Sequence, residues 1–203
     1  VAEERAGSGA DVESGAGVGS GAGVGNVGGV VDEVVARVRA AGESGVGVQG
    51  RVVVLVDGRS GTGKTTLGNA LAAALGAQVV HLDDVYPGWD GLRAAADVVV
   101  SDVLGAASGY RSWDWEADRP AAWRSVDPDA ALVIEGCGAL SRASARSATV
   151  RVWLEADDAV RWDRAIGRDG PTFEREWARW AAQEDAFIRA EQPAGLADVV
   201  VRT

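Results

Sequence analysis

Methionine is absent from the 203-residue sequence, cysteine and histidine occur once each, and Lys64 is the only lysine among 20 basic residues. Each scarcity excludes something. The single thiol, Cys137, forbids an intrachain disulfide and makes a reducing cytoplasm the expected setting. No apolar run approaches the ~18 residues of a membrane span, and no basic head with an apolar core opens the sequence. Basic residues are outnumbered by 30 acidic ones, for a net charge of −10. Neither a nucleic acid nor an anionic membrane is therefore an expected partner, since both require a basic face. Scarce lysine, methionine and asparagine beside abundant alanine, glycine, valine and arginine fit a GC-rich genome, and Val1 fits either a GTG start or a shortened sequence.

What remains is ample for one domain with a full core: 47% of residues are apolar and the mean hydropathy is −0.01. Residues 1–29 stand apart, with ten glycines and no aromatic residue. They bury too little to offset their ordering entropy and read as a mobile tail. Val30, Val31, Val34, Val35 and Val38 then keep helical spacing as far as Gly42. From Arg51 the pattern changes to RVVVLVD, an unbroken apolar run suited to a strand covered on both faces. Four further strand-like runs occupy 78–84, 131–136, 150–156 and 197–203. Helical patterns at 92–107, 158–168 and 172–191 separate them, the first striped by Leu92, Ala96, Val99 and Val103. VVVSD at 98–102 imitates an acidic strand end, but its apolar residues fit that stripe better. Such alternation predicts an α/β fold, a parallel five-stranded sheet with helices on both faces.

Between the first strand and the next helix lies GRSGTGKTT. Gly58, Gly63, Lys64 and Thr65 satisfy the phosphate-binding loop pattern, and the strand before and helix after supply the context it requires. Gly58, Arg59, Ser60, Gly61, Thr62, Gly63, Lys64, Thr65 and Thr66 are accordingly the expected nucleotide cradle. Backbone amides curl around an anion, Lys64 reaches the outer phosphates and the Thr65 hydroxyl is placed for Mg²⁺. Arginine differs from lysine in bulk and geometry, which explains why the only lysine stands here. With one lysine in the chain an N-K-x-D guanine motif is impossible, and the L-S-G-G-Q of transporter ATPases is missing.

Asp83 and Asp84 end the second strand, where ligands of open α/β sheets bind. One can take a hydroxyl proton while the other holds a metal-bound water; capping of the following turn is the plainer alternative. Glu135 ends the third strand in LVIEG. Arg161, Arg164 and Arg168 share a helix face, either over a transferring phosphate or solvated beside Asp157, Asp158 and Asp169. The Gly-Pro at 170–171 is a hinge-like break after that helix. GYRSWDWEADR at 109–119 groups aromatic residues around Arg111 and Asp114, as an acceptor site or as packing. His81 reads as a satisfied strand residue, Cys137 as a buried bystander, and Trp177, Trp180, Glu184 and Phe187 as one helix stripe.

In order, VDGRSGTGKTTL, HLDDVY, LVIEG and an arginine-rich helix resemble the uridine kinase, phosphoribulokinase and pantothenate kinase group of P-loop kinases. The resemblance covers residues 51–203 and implies a P-loop NTPase fold, ATP and Mg²⁺ as cofactors, and a small-molecule phosphate acceptor. It implies Asp83 as base toward the acceptor hydroxyl, with Tyr86 beside it, and Glu135 as a magnesium contact through water. Together with Thr65 and Asp84, Glu135 completes the expected metal set. Arg164 and Arg168 become lid arginines, the lid spanning about 158–172 of a kinase domain at 30–203. Trp113, Asp114 and Trp115 resemble the Tyr-Asp-Phe stretch of uridine kinases, but the histidine that follows there is missing. The expected activity is transfer of phosphate to a hydroxyl of an unnamed small molecule. A nucleoside monophosphate kinase using Arg93, Arg111 and Arg119, or a nucleotide-binding regulatory module, are the alternatives.

Overall fold

The computed structural model describes residues 26–43 and 51–203. Its main sheet contains β1 (Val53–Gly58), β2 (Gln78–His81), β5 (Leu132–Glu135), β6 (Val150–Glu155) and β7 (Val199–Arg202). The order is β2-β5-β1-β6-β7, every pairing parallel. Every residue of β1 is buried, as its unbroken apolar run requires. The period of two sends Val54 and Val56 to one face, where α1 (Val27–Glu43) and α2 (Lys64–Leu75) pack through Val34, Val38, Leu67 and Leu71. Val53 and Leu55 face the other layer, formed by α3 (Leu92–Val98) and the second half of α4 (Asp158–Glu191).

The mobile-tail expectation falls mostly outside the described residues, but Val27–Gly29, read with that tail, are already helical. α3 runs into a π-helical turn at Val99–Val103 whose Val99 and Val103 are buried, so VVVSD is helical and not a strand. α4 keeps the expected break: Gly170 adopts φ 66°, ψ −156°, and Pro171 restarts the helix. A four-residue helix, α5 (Pro193–Leu196), leads into β7.

One element has no counterpart in the sequence reading. Residues 109–125 form an antiparallel hairpin of β3 (Gly109–Asp114) and β4 (Arg119–Ser125), separate from the main sheet and bulged between Arg111 and Trp113. β4 holds Pro120 and is exposed along nearly its whole length, so it shows neither the alternation nor the apolar run of a strand. Among the described residues no helix is long and apolar enough to cross a membrane.

Candidate active site

β1, β2 and β5 are neighbours, and the segments leaving their C-terminal ends converge on a cleft of about 690 Å³. The position is the one that open parallel sheets offer to ligands, where the strand order reverses. The loop after β1 forms its floor through Ser60, Gly61, Gly63, Lys64, Thr65 and Thr66. Gly61, at φ 82°, permits the curl, and a Cβ there would stand 2.2 Å from the Arg161 carbonyl. No side chain caps the N-terminus of α2, which leaves its first amides to face the cleft.

The loop is braced from outside. The Thr62 hydroxyl and Lys64 Nζ both donate to the Arg59 carbonyl, at 2.8 and 3.0 Å. Burial opposes the charge of Lys64, but Cys137, Glu135, Glu184 and Asp57 outweigh it and raise its pKa. Arg59 itself turns away from the cleft to Asp185 and Glu184. Gly58 and Thr62 likewise do not line the cleft, although both were read with the cradle. They shape the loop.

Two buried carboxylates, neither assigned a role by sequence reasoning, hold this bracing together. Asp57 accepts from the amides of Gly58, Gly138 and Leu140 at 2.6, 3.1 and 2.8 Å, tying the β1 loop to the β5 loop. Burial pushes its pKa up to about 7 against the pull of those amides and of Lys64. Glu184 accepts from the Ser60 amide at 2.7 Å and from the Cys137 thiol at 3.3 Å, with Arg59 and Arg161 within 3.9 Å. Arg161 is buried, donates to the Ser60 carbonyl and lies over Trp177, so it supports the loop from behind. An acid on an otherwise aromatic helix stripe was the available signal for Glu184.

Beyond the loop, Glu135 is 2% exposed and accepts from the Thr65 hydroxyl at 3.1 Å. His81 Nδ1 lies 2.6 Å from the same carboxylate oxygen, and this hydrogen bond is the main cause of the imidazole's raised pKa. His81 is thus a partner of Glu135 and more than a strand residue. Asp83, in the single 3-10 turn after β2, opens into the cleft. Its side chain is exposed to the open cleft, and crowding by the cleft walls, then the charge of Glu135, raises its carboxyl pKa, with Lys64 and Arg168 pulling the other way. Asp84, expected beside it as a metal contact, does not line the cleft. A short 3-10 turn does not put neighbouring side chains on one side.

Arg164 and Arg168 approach from the first half of α4. Arg164 donates to the Thr203 hydroxyl at 3.0 Å, and Arg168 pairs with Asp169. The far wall is aromatic. Tyr86 is buried and donates to the Cys137 carbonyl at 2.9 Å, while Trp115 Nε1 donates to the Asp83 carbonyl at 2.8 Å. Trp89, Phe173 and Trp180 complete that wall. Three residues expected there are elsewhere. Arg111 donates to Ala121 across the hairpin, Asp114 accepts from Glu116 and Ala117 in its turn, and Trp113 does not line the cleft. β3 ends at Asp114, so Trp113 stays within the strand while Trp115 lies beyond it, and the turn consumes Asp114. Cys137 is buried, with its thiol pushed by burial up to about 12. Although it donates to Glu184, burial keeps it a protonated thiol.

Among the described residues no three acidic, thiol or imidazole groups cluster as a metal cage. The Thr65 hydroxyl and Glu135 carboxylate are nevertheless the all-oxygen pair suited to magnesium that keeps waters and rides on phosphates.

No family model matches the chain, and no curated protein does. Among solved structures, a possible uridine kinase from Bacillus stearothermophilus superposes with a TM-score of 0.53 at 22% identity, over 83% of this chain and 99% of that one. A shikimate kinase from Acinetobacter baumannii in complex with shikimate gives a TM-score of 0.45 at 18% identity, over 82% and 87%. The first likeness is one of fold, and the fold here is a five-stranded parallel α/β sheet with the Gly-Lys-Thr loop after the central strand.

Proposed function

We propose that the chain is an ATP- and Mg²⁺-dependent kinase transferring phosphate to a hydroxyl of a small molecule, with residues 30–203 its catalytic domain and about 158–172 its lid. The observation that carries the reading is that one cleft joins the phosphate loop, the acid Asp83 and the lid side chains Arg164 and Arg168. A cradle alone would serve any nucleotide-binding protein. An acid of raised pKa across from it is what a hydroxyl acceptor needs.

In this reading the amides of Gly61, Gly63, Lys64, Thr65 and Thr66, with the Lys64 ammonium, hold the triphosphate, and Thr65 with Glu135 would hold the magnesium ion. Bound magnesium supplies charge neutralisation at the outer phosphates. Asp83 orients the acceptor hydroxyl and takes its proton as the oxygen bonds to the γ-phosphorus and the bond to the ADP oxygen breaks. Arg164 and Arg168 offset charge on the transferring group, which a loose transition state spreads over its oxygens. His81, bonded to Glu135, fixes the orientation of that carboxylate. A single buried thiol supports a reducing cytoplasmic setting.

A monophosphate kinase finds less support. Arg93 is paired with Glu191 and Asp97, and neither it, Arg111 nor Arg119 lines the cleft. The test is ADP release with Mg·ATP over nucleosides, nucleoside monophosphates, sugars, simple alcohols and hydroxy acids, with Lys64→Ala as control. One alcohol that stimulates the wild type and not the control bears the reading out. Stimulation only by a monophosphate, or none by any acceptor despite intact ATP binding, would overturn it.

A further inference from the structure

The far end of the cleft is an aromatic surface with few hydrogen-bonding groups to spare. Trp89 is its hub: its ring lies 4.9 Å from Trp115, 5.7 Å from Phe173 in a stacked pair, and 6.3 Å from Trp180. Tyr86 meets Trp180 edge-on at 4.7 Å, so the rings form one continuous wall rather than an open cage. Several of the polar atoms along it are engaged within the protein. Trp115 Nε1 is given to the Asp83 carbonyl, the Tyr86 hydroxyl proton to Cys137, and the Cys137 thiol to Glu184. Gln183, the nearest amide side chain, is spent on the Trp89 carbonyl and the Leu92 amide. On this side of the cleft Asp83, the Thr172 hydroxyl and the indole N–H groups of Trp89 and Trp180 remain to meet a ligand. Among the described residues lining the cleft, the basic ones are Lys64, Arg164 and Arg168, all belonging to the loop and the lid.

We infer that the acceptor is an alcohol with an apolar, hydrogen-bond-poor body, aryl or alicyclic, carrying neither phosphate nor carboxylate. A nucleobase or a sugar brings several donors and acceptors, and each left unpaired against this wall costs its desolvation. An acidic acceptor would lack a cation beyond those already committed to the transferring phosphate. A ring with one hydroxyl loses nothing: its face covers tryptophan and its oxygen reaches Asp83. The inference rests on the kinase reading for the fate of the hydroxyl, and on the wall alone for the body of the ligand.

Binding of 2-phenylethanol and of uridine to the full chain, with Mg·ADP present, tests it by titration calorimetry without requiring turnover. The aryl alcohol should bind at least roughly tenfold more tightly than uridine, and Trp115→Ala should abolish that preference while Trp115→Phe retains it. Trp115 is 40% exposed, so the variants should fold, as a melting curve would verify. Tighter binding of uridine, no binding of 2-phenylethanol, or an unchanged preference in Trp115→Ala would overturn the inference. ADP release separates the two readings. Phosphorylation of uridine in preference to the aryl alcohol would overturn the inference and leave the kinase intact. An aryl alcohol bound on the wall, with no acceptor of the whole series phosphorylated despite bound ATP, would uphold the inferred ligand body and break the kinase reading.

Discussion

The two sides of the cleft are built in different ways. The loop side is nine consecutive residues, six of which line the cleft, held in shape by left-handed glycines and the start of α2. The aromatic side gathers Tyr86 and Trp89 from the turn after β2, Trp115 from the hairpin, and Phe173 and Trp180 from the second half of α4. One side is a local structure and the other is an assembly. A cradle made of amides can be rebuilt wherever strand, loop and helix recur. A wall made of distant side chains exists only once the whole domain has packed, and it is where specificity can vary.

The largest effect is expected where the sides meet. Asp83→Asn should lower kcat by about two to four decades while leaving ATP affinity within about twofold. Turnover and nucleotide titration together check this. The wild-type rate should also fall on the acid side, with a limb above the ordinary carboxylate range because Asp83 must be ionised to accept a proton. The variant should lose that limb. A variant that lost ATP binding as well would assign Asp83 to the phosphate side and dissolve the division.

Next comes Glu184, the strut that reaches from the aromatic helix to the Ser60 amide. Removing it in Glu184→Ala leaves Arg161 buried beside an unpaired amide and should cost about 3 kcal/mol of stability. Glu184→Gln keeps an acceptor for Ser60 and should recover part of that loss. If Glu184→Ala weakened only nucleotide binding and left the melting temperature unchanged, the two sides would be less interdependent than this contact implies.

Legibility in the sequence followed the same division. Five strands stood out because strands covered on both faces are continuous apolar runs, and the phosphate loop because its residue types have no freedom. The stripe Phe173, Trp177, Trp180, Glu184 and Phe187 was visible as a helix, yet spacing could not say that its acid meets Ser60, 124 positions away. Trp89 follows β2 on an irregular segment, and only the packed domain makes it the centre of the wall. The hairpin escaped because exposed β4 lacks any period to detect. Residues 109–119 were legible as aromatic and illegible as a fold, and so only Trp115 of that group stands in the cleft.

Asp57 offers a pH test of the bracing. Its pKa is raised from an ordinary carboxylate value to about 7 in the folded chain. The folded state therefore binds that proton more tightly than the unfolded chain does. The associated stability is fully present below about pH 4 and is lost as pH rises through about 7. Asp57→Asn keeps one acceptor oxygen and cannot ionise. The wild type should thus lose ground to the variant by a few kcal/mol between those limits, as urea midpoints would record. A gap that stayed constant with pH would mean that the pull of the three amides and of Lys64 cancels the push of burial.

The smallest expected effect bears most directly on how the far side should be read. Asp114 sits between Trp113 and Trp115, where composition made it a candidate acceptor contact, but its carboxylate accepts from Glu116 and Ala117 in the hairpin turn. Asp114→Ala removes two exposed turn bonds, so it should lower stability by no more than about 1 kcal/mol and leave kcat/KM for any accepted alcohol within about twofold. Trp115→Ala, one residue on, should instead raise KM roughly tenfold at little cost in stability. The two substitutions lie side by side in sequence and on opposite sides of the division between turn and wall. Were Asp114→Ala the more damaging to KM, the acceptor would have to reach the hairpin turn, and its body would carry polar groups that the aromatic wall has no means to satisfy.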